Sequence, residues 1–359
     1  MPPGATLARL VELSARHPNL TPYLTREMTL RARKFMDGVG QYRIHPAQRG
    51  SDTAPVLWHA GTTVLRDYAP QALSAPVVLV VPSLVNRFTI LDLQPHHSFL
   101  RLLAAQGLRP LVVDWNMPGV DEKHFSLSDY ITARLIPVLQ IASVAQPAHI
   151  LGYCMGGVLA LALAQLCPER TRSLSLLATP WDFHAGYDAT GQAGWQLEEK
   201  LQPWLSGDEP VPVDVIHSVF ASLQPLHAMR KFTRFAALDP TGAEAERFVL
   251  TEDWLNEGVV LTAPAARDCF GDWCTRNVTA RGEWRVAGTR IAPEMLQAPS
   301  YVVVPGRDRI VPPESAMPLA RALPHAMRHE PMLGHIGIMA SASAPHQVWK
   351  PLAQWLVAH

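Results

Sequence analysis

The chain has 359 residues, 48% of them hydrophobic and 17% charged, and its 31 basic side chains balance 31 acidic ones. That length can bury a sizeable core in one large or two small domains, and the zero formal charge gives no reason to expect a nucleic acid or an anionic membrane to be captured over the whole surface. The four cysteines, Cys154, Cys167, Cys269 and Cys274, are too sparse for a disulfide framework, and the lone Cys-x4-Cys at 269 and 274 lacks a second ligand pair for zinc. Reduced thiols in a cytoplasmic protein are expected. The first twenty residues hold no uninterrupted apolar run, and no stretch approaches the ~18 consecutive apolar residues of a spanning helix. The 32 prolines are dispersed and read as loop punctuation.

In chain order, residues 1–55 read as an N-terminal arm or short helical prefix. "VLWHAGTTVLRDYAP" from Val56 predicts two strands around a tight turn, and "APVVLVVPSLVN" is a β-branched run suited to a parallel strand buried on both faces. "HSFLRLLAAQGLRPLVVDW" predicts a helix, a stop at Gly107 and another strand. "FSLSDYITARLIPVLQIASV" is a second helix, with Ser126 or Ser128 as N-cap. "AHILGYC" then gives a strand, "MGGVLALALAQLCPE" its helix, and "TRSLSLLATP" one strand more. From 181 to 297 the alternation breaks into Trp-rich, helical segments, and a buried strand resumes in "APSYVVVPGRDRIVPP". "HQVWKPLAQWLVAH" predicts the closing helix. The expected architecture is a mostly parallel α/β sheet with helices on both faces, formed by 56–180 and 298–359, with 181–297 inserted as a mostly helical cap.

Gly152-Tyr153-Cys154-Met155-Gly156 is the thiol form of a G-x-S-x-G nucleophile elbow. A sharp strand-to-helix turn strains the nucleophile's backbone and leaves room only for small neighbours, which Gly152, Gly156 and Gly157 supply. The thiol would stand at a helix N-terminus, where the dipole and unpaired N–H groups favour an anionic sulfur. A buried structural cysteine is the plainer alternative, but the strand before and the helix after are the context that an α/β-hydrolase elbow requires.

That fold also orders its partners as nucleophile, acid, histidine. "YVVVPGRD" delivers Asp308 after a late strand, and "MLGHIGI" delivers His335 before the last helix. Asp182 in "TPWDFH" is the rival acid, better suited to a structural role at the cap entrance. His335 would take the thiol proton and Asp308 would fix the imidazole. The backbone N–H of Met155, with that of Leu84 or Val85, is expected to form the oxyanion hole. Cysteine attack exchanges one thioester for another and keeps an acyl group activated, which favours an acyltransferase using coenzyme A thioesters over a hydrolase. There is no Gly-x-Gly-x-x-Gly after a strand and no metal-binding cluster, so no bound cofactor is expected beyond the coenzyme A of the substrate.

These residues resemble the polyhydroxyalkanoate synthases, in the short form of class III catalytic subunits. "VVPSLVNRFTILDLQPHHSFLRLLAAQG" is similar to the family's Pro-Pro-Leu-Val-Asn-Lys segment and its Ile-Leu-Asp-Leu continuation, "FSLSDYI" to its Leu-x-x-Asp-Tyr-Ile helix, and "GYCMGG" to its cysteine-bearing lipase box. "TEDWLNEGVVLTAP" resembles a stretch of the family's cap, and "LGHIGI" its Gly-His-Ile motif. The resemblance implies that Cys154 carries the growing polyester as a thioester, that (R)-3-hydroxyacyl-CoA is the substrate, and that His335 serves Cys154 and the incoming 3-hydroxyl. It also implies a cytoplasmic enzyme, with granule association, a homodimer or a partner subunit left open. The chain departs from the family at Arg309 and Pro313, where a histidine and a tryptophan are usual, and at Trp273 and Cys274, where Phe-Tyr is usual. An intracellular depolymerase or thioesterase of the same fold, and a granule-associated protein without catalysis, are the alternatives.

Overall fold

Continuous β-branched runs can bury both faces of a strand, and the chain uses them to build one eight-stranded sheet. The computed structural model describes residues 12–13, 15–17, 19–50, 54–186, 201–223 and 226–359; expectations for 1–11 and for 187–200 of the insertion lie outside the described residues. The strands are β1 (Val56–Ala60), β2 (Thr63–Asp67), β3 (Val77–Val81), β4 (Arg109–Asp114), β5 (Ala148–Tyr153), β6 (Thr171–Leu177), β7 (Ser300–Val303) and β8 (Ala326–His329). Their spatial order is β1-β2-β4-β3-β5-β6-β7-β8. β1 and β2 form an antiparallel hairpin, β2 meets β4 antiparallel, and every other pairing is parallel.

Register decides where the loops emerge. Val81 pairs with Gly152, Tyr153 with Leu177, Leu177 with Val303, and Val303 with His329. The carboxyl ends of five adjacent parallel strands therefore lie along one edge, where open α/β sheets place their sites.

Helices cover the sheet. Phe99–Ala105 starts at Ser98, whose Oγ accepts from Arg101 N at 3.0 Å. Of the two predicted caps for the next helix, Ser126 is used: it forms a reciprocal capping box with Asp129. Met155–Leu166 is buried on almost every side, as its unbroken Gly, Ala and Leu content requires. The closing helix is in place as Lys350–Ala358. β8 and the helix before it, Pro313–Ala322, were not predicted. β8 is a four-residue edge strand with no fully buried residue, so its sequence carries no apolar run.

The chain divides into two units: residues 49–223 with 250–359, which hold the sheet, and residues 1–48 with 224–249. In the smaller unit the N-terminal segment is a 25-residue helix, Leu20–Ile44, longer than a short prefix. It packs on His227–Phe235, where Phe35, Tyr42 and Phe248 set their rings edge-on to Phe232 with centroids 6.1, 5.6 and 5.5 Å away. None of the helices among the described residues is long and apolar enough to cross a membrane.

Gly38 is the buried position of the long helix, and a methyl there would run into the backbone carbonyl of Phe232. Backbone cannot swing aside as a side chain can, so Gly38→Ala should cost this unit about 1–3 kcal/mol. Limited proteolysis of residues 20–44 should quicken, while the melting of the sheet unit should stay unchanged.

Candidate active site

β5 ends at Tyr153 and the next helix begins at Met155, so Cys154 alone turns the chain. Its backbone sits at φ 56 and ψ −129, a conformation that costs an L-residue about 1–3 kcal/mol and persists only where its surroundings enforce it. Two hydrogen bonds hold the turn: Cys154 N–H donates to Leu177 O at 2.8 Å, and Gly157 N–H donates to Cys154 O at 2.9 Å. The three glycines make the turn passable. A Cβ on Gly152 would strike Gly157, one on Gly156 would strike the carbonyls of Val81 and Pro82, and one on Gly157 would strike Thr179.

Asp308 and His335 reach Cys154 through a ladder that continues beyond the strands. Val304 N–H donates to His329 O, Gly306 N–H to Pro331 O and Arg307 N–H to Leu333 O, each at 2.9 Å. The loop after β7 is thus zipped to the loop after β8, and the next residues along each are the two side chains that meet. Asp308 Oδ2 lies 2.7 Å from His335 Nδ1, while its Oδ1 accepts from Ile310 N and Val311 N, both at 2.8 Å. The carboxylate is thereby held in orientation and 3% exposed. Cys154 itself is half-buried.

Burial alone would lower the His335 pKa. The Asp308 carboxylate, the Cys154 sulfur and the hydrogen bond to Asp308 outweigh it and raise the value well above the ordinary 6.5. A histidine so placed keeps its proton more readily than a free imidazole.

Tyr153 went unassigned in the sequence. Its hydroxyl donates to the backbone carbonyl of His335 at 3.1 Å, and its ring stacks on the imidazole at 5.4 Å with 28° between planes. It clamps the histidine from below. Neighbouring strand residues face opposite sides of a sheet, but only the turn geometry at Cys154 reveals that Tyr153 meets the histidine loop.

Met155 N–H lies in the first turn of its helix, where no intrahelical acceptor exists. Leu84 and Val85 lie in the loop after β3, which runs beside the elbow through the close approach of Gly156 to Val81 and Pro82. Val85 N–H already faces Ser83 Oγ at a long 3.4 Å, and Val85 O accepts from Val259 N of the insertion at 2.9 Å. The rival acid stands apart: Asp182 Oδ1 accepts from Asn277 Nδ2 at 2.8 Å and from His184 N at 3.0 Å, tying the start of the insertion to its later part. Arg309 is exposed, and Pro313 opens the helix Pro313–Ala322.

Residues 76–342 match the α/β hydrolase fold family, and the chain belongs to it. Within that fold its likeness to polyhydroxyalkanoate polymerases is broad. It is 24% identical to the poly(3-hydroxyalkanoate) polymerase subunit PhaC of Allochromatium vinosum, over 93% of this chain and 96% of that one. It is 29% identical to the corresponding subunits of Haloferax mediterranei and Haloarcula marismortui over 77% of this chain, but spans only 58% and 60% of theirs. Among solved structures, a thioesterase domain from the curacin biosynthetic pathway superposes with TM-score 0.51 at 18% identity, covering 84% of this chain and 98% of that one. A carboxylesterase of the thaumarchaeon Nitrososphaera gargenis does so with TM-score 0.55 at 11% identity, covering 85% and 99%. At such identities these two neighbours speak for the fold alone.

Two measurements bear on this geometry. Tyr153→Phe removes one hydrogen bond from beneath the imidazole and should lower kcat about 3- to 10-fold with KM unchanged. An equal loss in KM would mean that Tyr153 only supports the fold. Because native His335 holds its proton more tightly than the unfolded chain does, the pair with Asp308 stabilises the fold fully below pH 6.5, and the contribution is lost as pH rises through the raised native value. Asp308→Asn should therefore lower the melting temperature most below neutrality and least in alkali. A penalty independent of pH would show that the imidazole is uncharged.

Proposed function

We propose that the chain is a polyhydroxyalkanoate synthase-like acyltransferase that polymerises (R)-3-hydroxyacyl-CoA through a thioester on Cys154, in the cytoplasm or at a polyester surface. The carrying observation is a cysteine on the strained strand-to-helix turn, together with a histidine that Asp308 holds at 2.7 Å. The likeness to the Allochromatium polymerase subunit over nearly the whole of both chains supports the choice of substrate.

The chemistry follows from the charges. The Cys154 sulfur attacks the thioester carbonyl while backbone N–H groups, that of Met155 among them, stabilise the oxyanion. The His335 imidazolium gives its proton to the departing coenzyme A sulfur. Now neutral, the imidazole accepts the proton of the next 3-hydroxyl, whose oxygen attacks the acyl-Cys154 carbonyl and frees the thiolate. Asp308 keeps the proton-accepting nitrogen turned toward the sulfur throughout. The acyl-CoA thioester and the acyl-Cys154 thioester are near each other in energy, so the acyl group stays activated between steps.

Purified protein supplied with (R)-3-hydroxybutyryl-CoA should release coenzyme A and deposit insoluble polyester, with the hydroxyacyl group found on the tryptic peptide carrying Cys154. Cys154→Ser should lower the rate by about 10²–10³-fold. Release with free acid only would make the protein a thioesterase, no release would make it non-catalytic, and full activity in the serine variant would rule out the thioester.

A further inference from the structure

The Cys-x4-Cys of the insertion has no part in the chemistry above. On a regular α-helix, residues five apart diverge by roughly 140° around the axis, so their side chains do not meet. Here the helix that starts at Ala263–Ala266 widens into a π segment, Arg267–Thr275, whose bonds run from residue i to i+5. That winding brings residues five apart, such as Cys269 and Cys274, to one side of the helix, and both pack in the same apolar cluster. Cys269 is buried, Cys274 half-buried and reachable. The segment is anchored to the sheet unit's helices by Asp268, whose Oδ2 accepts from Leu127 N at 2.8 Å. Cys154 packs against the same apolar cluster as the pair.

We propose that Cys269 and Cys274 are a reversible redox-modification site, a dithiol on the π segment that a hydroperoxide closes to a disulfide. The more accessible Cys274 sulfur attacks the peroxide O–O bond, forming its sulfenic acid and, for hydrogen peroxide, one water. The Cys269 sulfur then attacks the sulfenic sulfur. The S–S bond forms, hydroxide leaves, and it departs as a second water with the Cys269 proton. Two thiols are oxidised by two electrons and one peroxide is reduced. Cys269 is the member that keeps its proton at rest, since the neighbouring Cys274 and its burial both raise its pKa well above the ordinary thiol value. The mechanical consequence is specific. Relaxing 267–275 to α-helical winding would swing the sulfurs apart, so the bond locks the π winding.

The test is independent of what Cys154 does. The full chain, fully reduced, is treated with hydrogen peroxide, alkylated in denaturant and digested with trypsin, which releases Asp268–Arg276 with both cysteines inside one peptide. That peptide should lose two hydrogens, carry no alkyl group, and recover both alkylation sites after dithiothreitol. Amide exchange across 268–276 should slow in the oxidised protein. Cys274→Ser, checked by an unchanged melting curve, should leave Cys269 reduced and alkylatable. The proposal is overturned if both cysteines stay alkylatable while Cys154 is oxidised, if Cys274 goes to sulfinic acid beside a reduced Cys269, if either bonds to another cysteine, or if exchange is unaffected by the disulfide.

Discussion

Everything in the site follows from one residue's backbone. Cys154 stands at φ 56 between a strand buried along its full length and a helix buried on almost every side, and neither neighbour can yield. The turn is therefore over-determined: three positions accept no Cβ, the Cys154 N–H extends the ladder to Leu177, and Gly157 closes the first helical bond back to Cys154 O. Local strain is tolerated because the sheet register and the helix packing would both have to change to release it. The reward is a sulfur presented at a sheet edge with a helix N-terminus directly behind it.

The partners are positioned by a different device. No strand carries Asp308 or His335; two loops do, and loops are ordinarily the mobile parts of a fold. Here three backbone hydrogen bonds continue the β7–β8 pairing into the loops, and both oxygens of Asp308 are engaged. Tyr153 adds contact from the elbow strand itself, so the histidine is referenced to the same piece of backbone that aims the thiol. Electrostatics then favours the protonated imidazole: desolvation opposes the proton, and the Asp308 carboxylate outweighs it with its charge and hydrogen bond.

Much of this was legible in the sequence because it rests on strong local rules. The β-branched run at 77–81 and the apolar run at 148–153 announce central strands, and both are there. The glycine spacing around Cys154 announces the turn that the backbone angles display, and Asp308 and His335, expected in that order along the chain, meet at 2.7 Å. What stayed hidden depends on partners distant in sequence. β8 is a short edge strand identified only by its neighbour β7. The length of Leu20–Ile44 shows no clear apolar face, because the helix is mostly exposed. The π winding at 267–275 leaves no composition signature, and without it the spacing of Cys269 and Cys274 reads as incidental.

The loop after β3 is held from a segment far along the chain. Two carbonyls of that loop are bonded from the insertion, Val85 O by the amide of Val259 at 2.9 Å and Arg87 O by the indole of Trp254 at 2.6 Å. Residues 254–259 and the backbone flanking the nucleophile are consequently yoked. An outward swing of that stretch must either sever both bonds or drag the loop with it, so access to the elbow and the placing of the amides beside it are set by a single displacement.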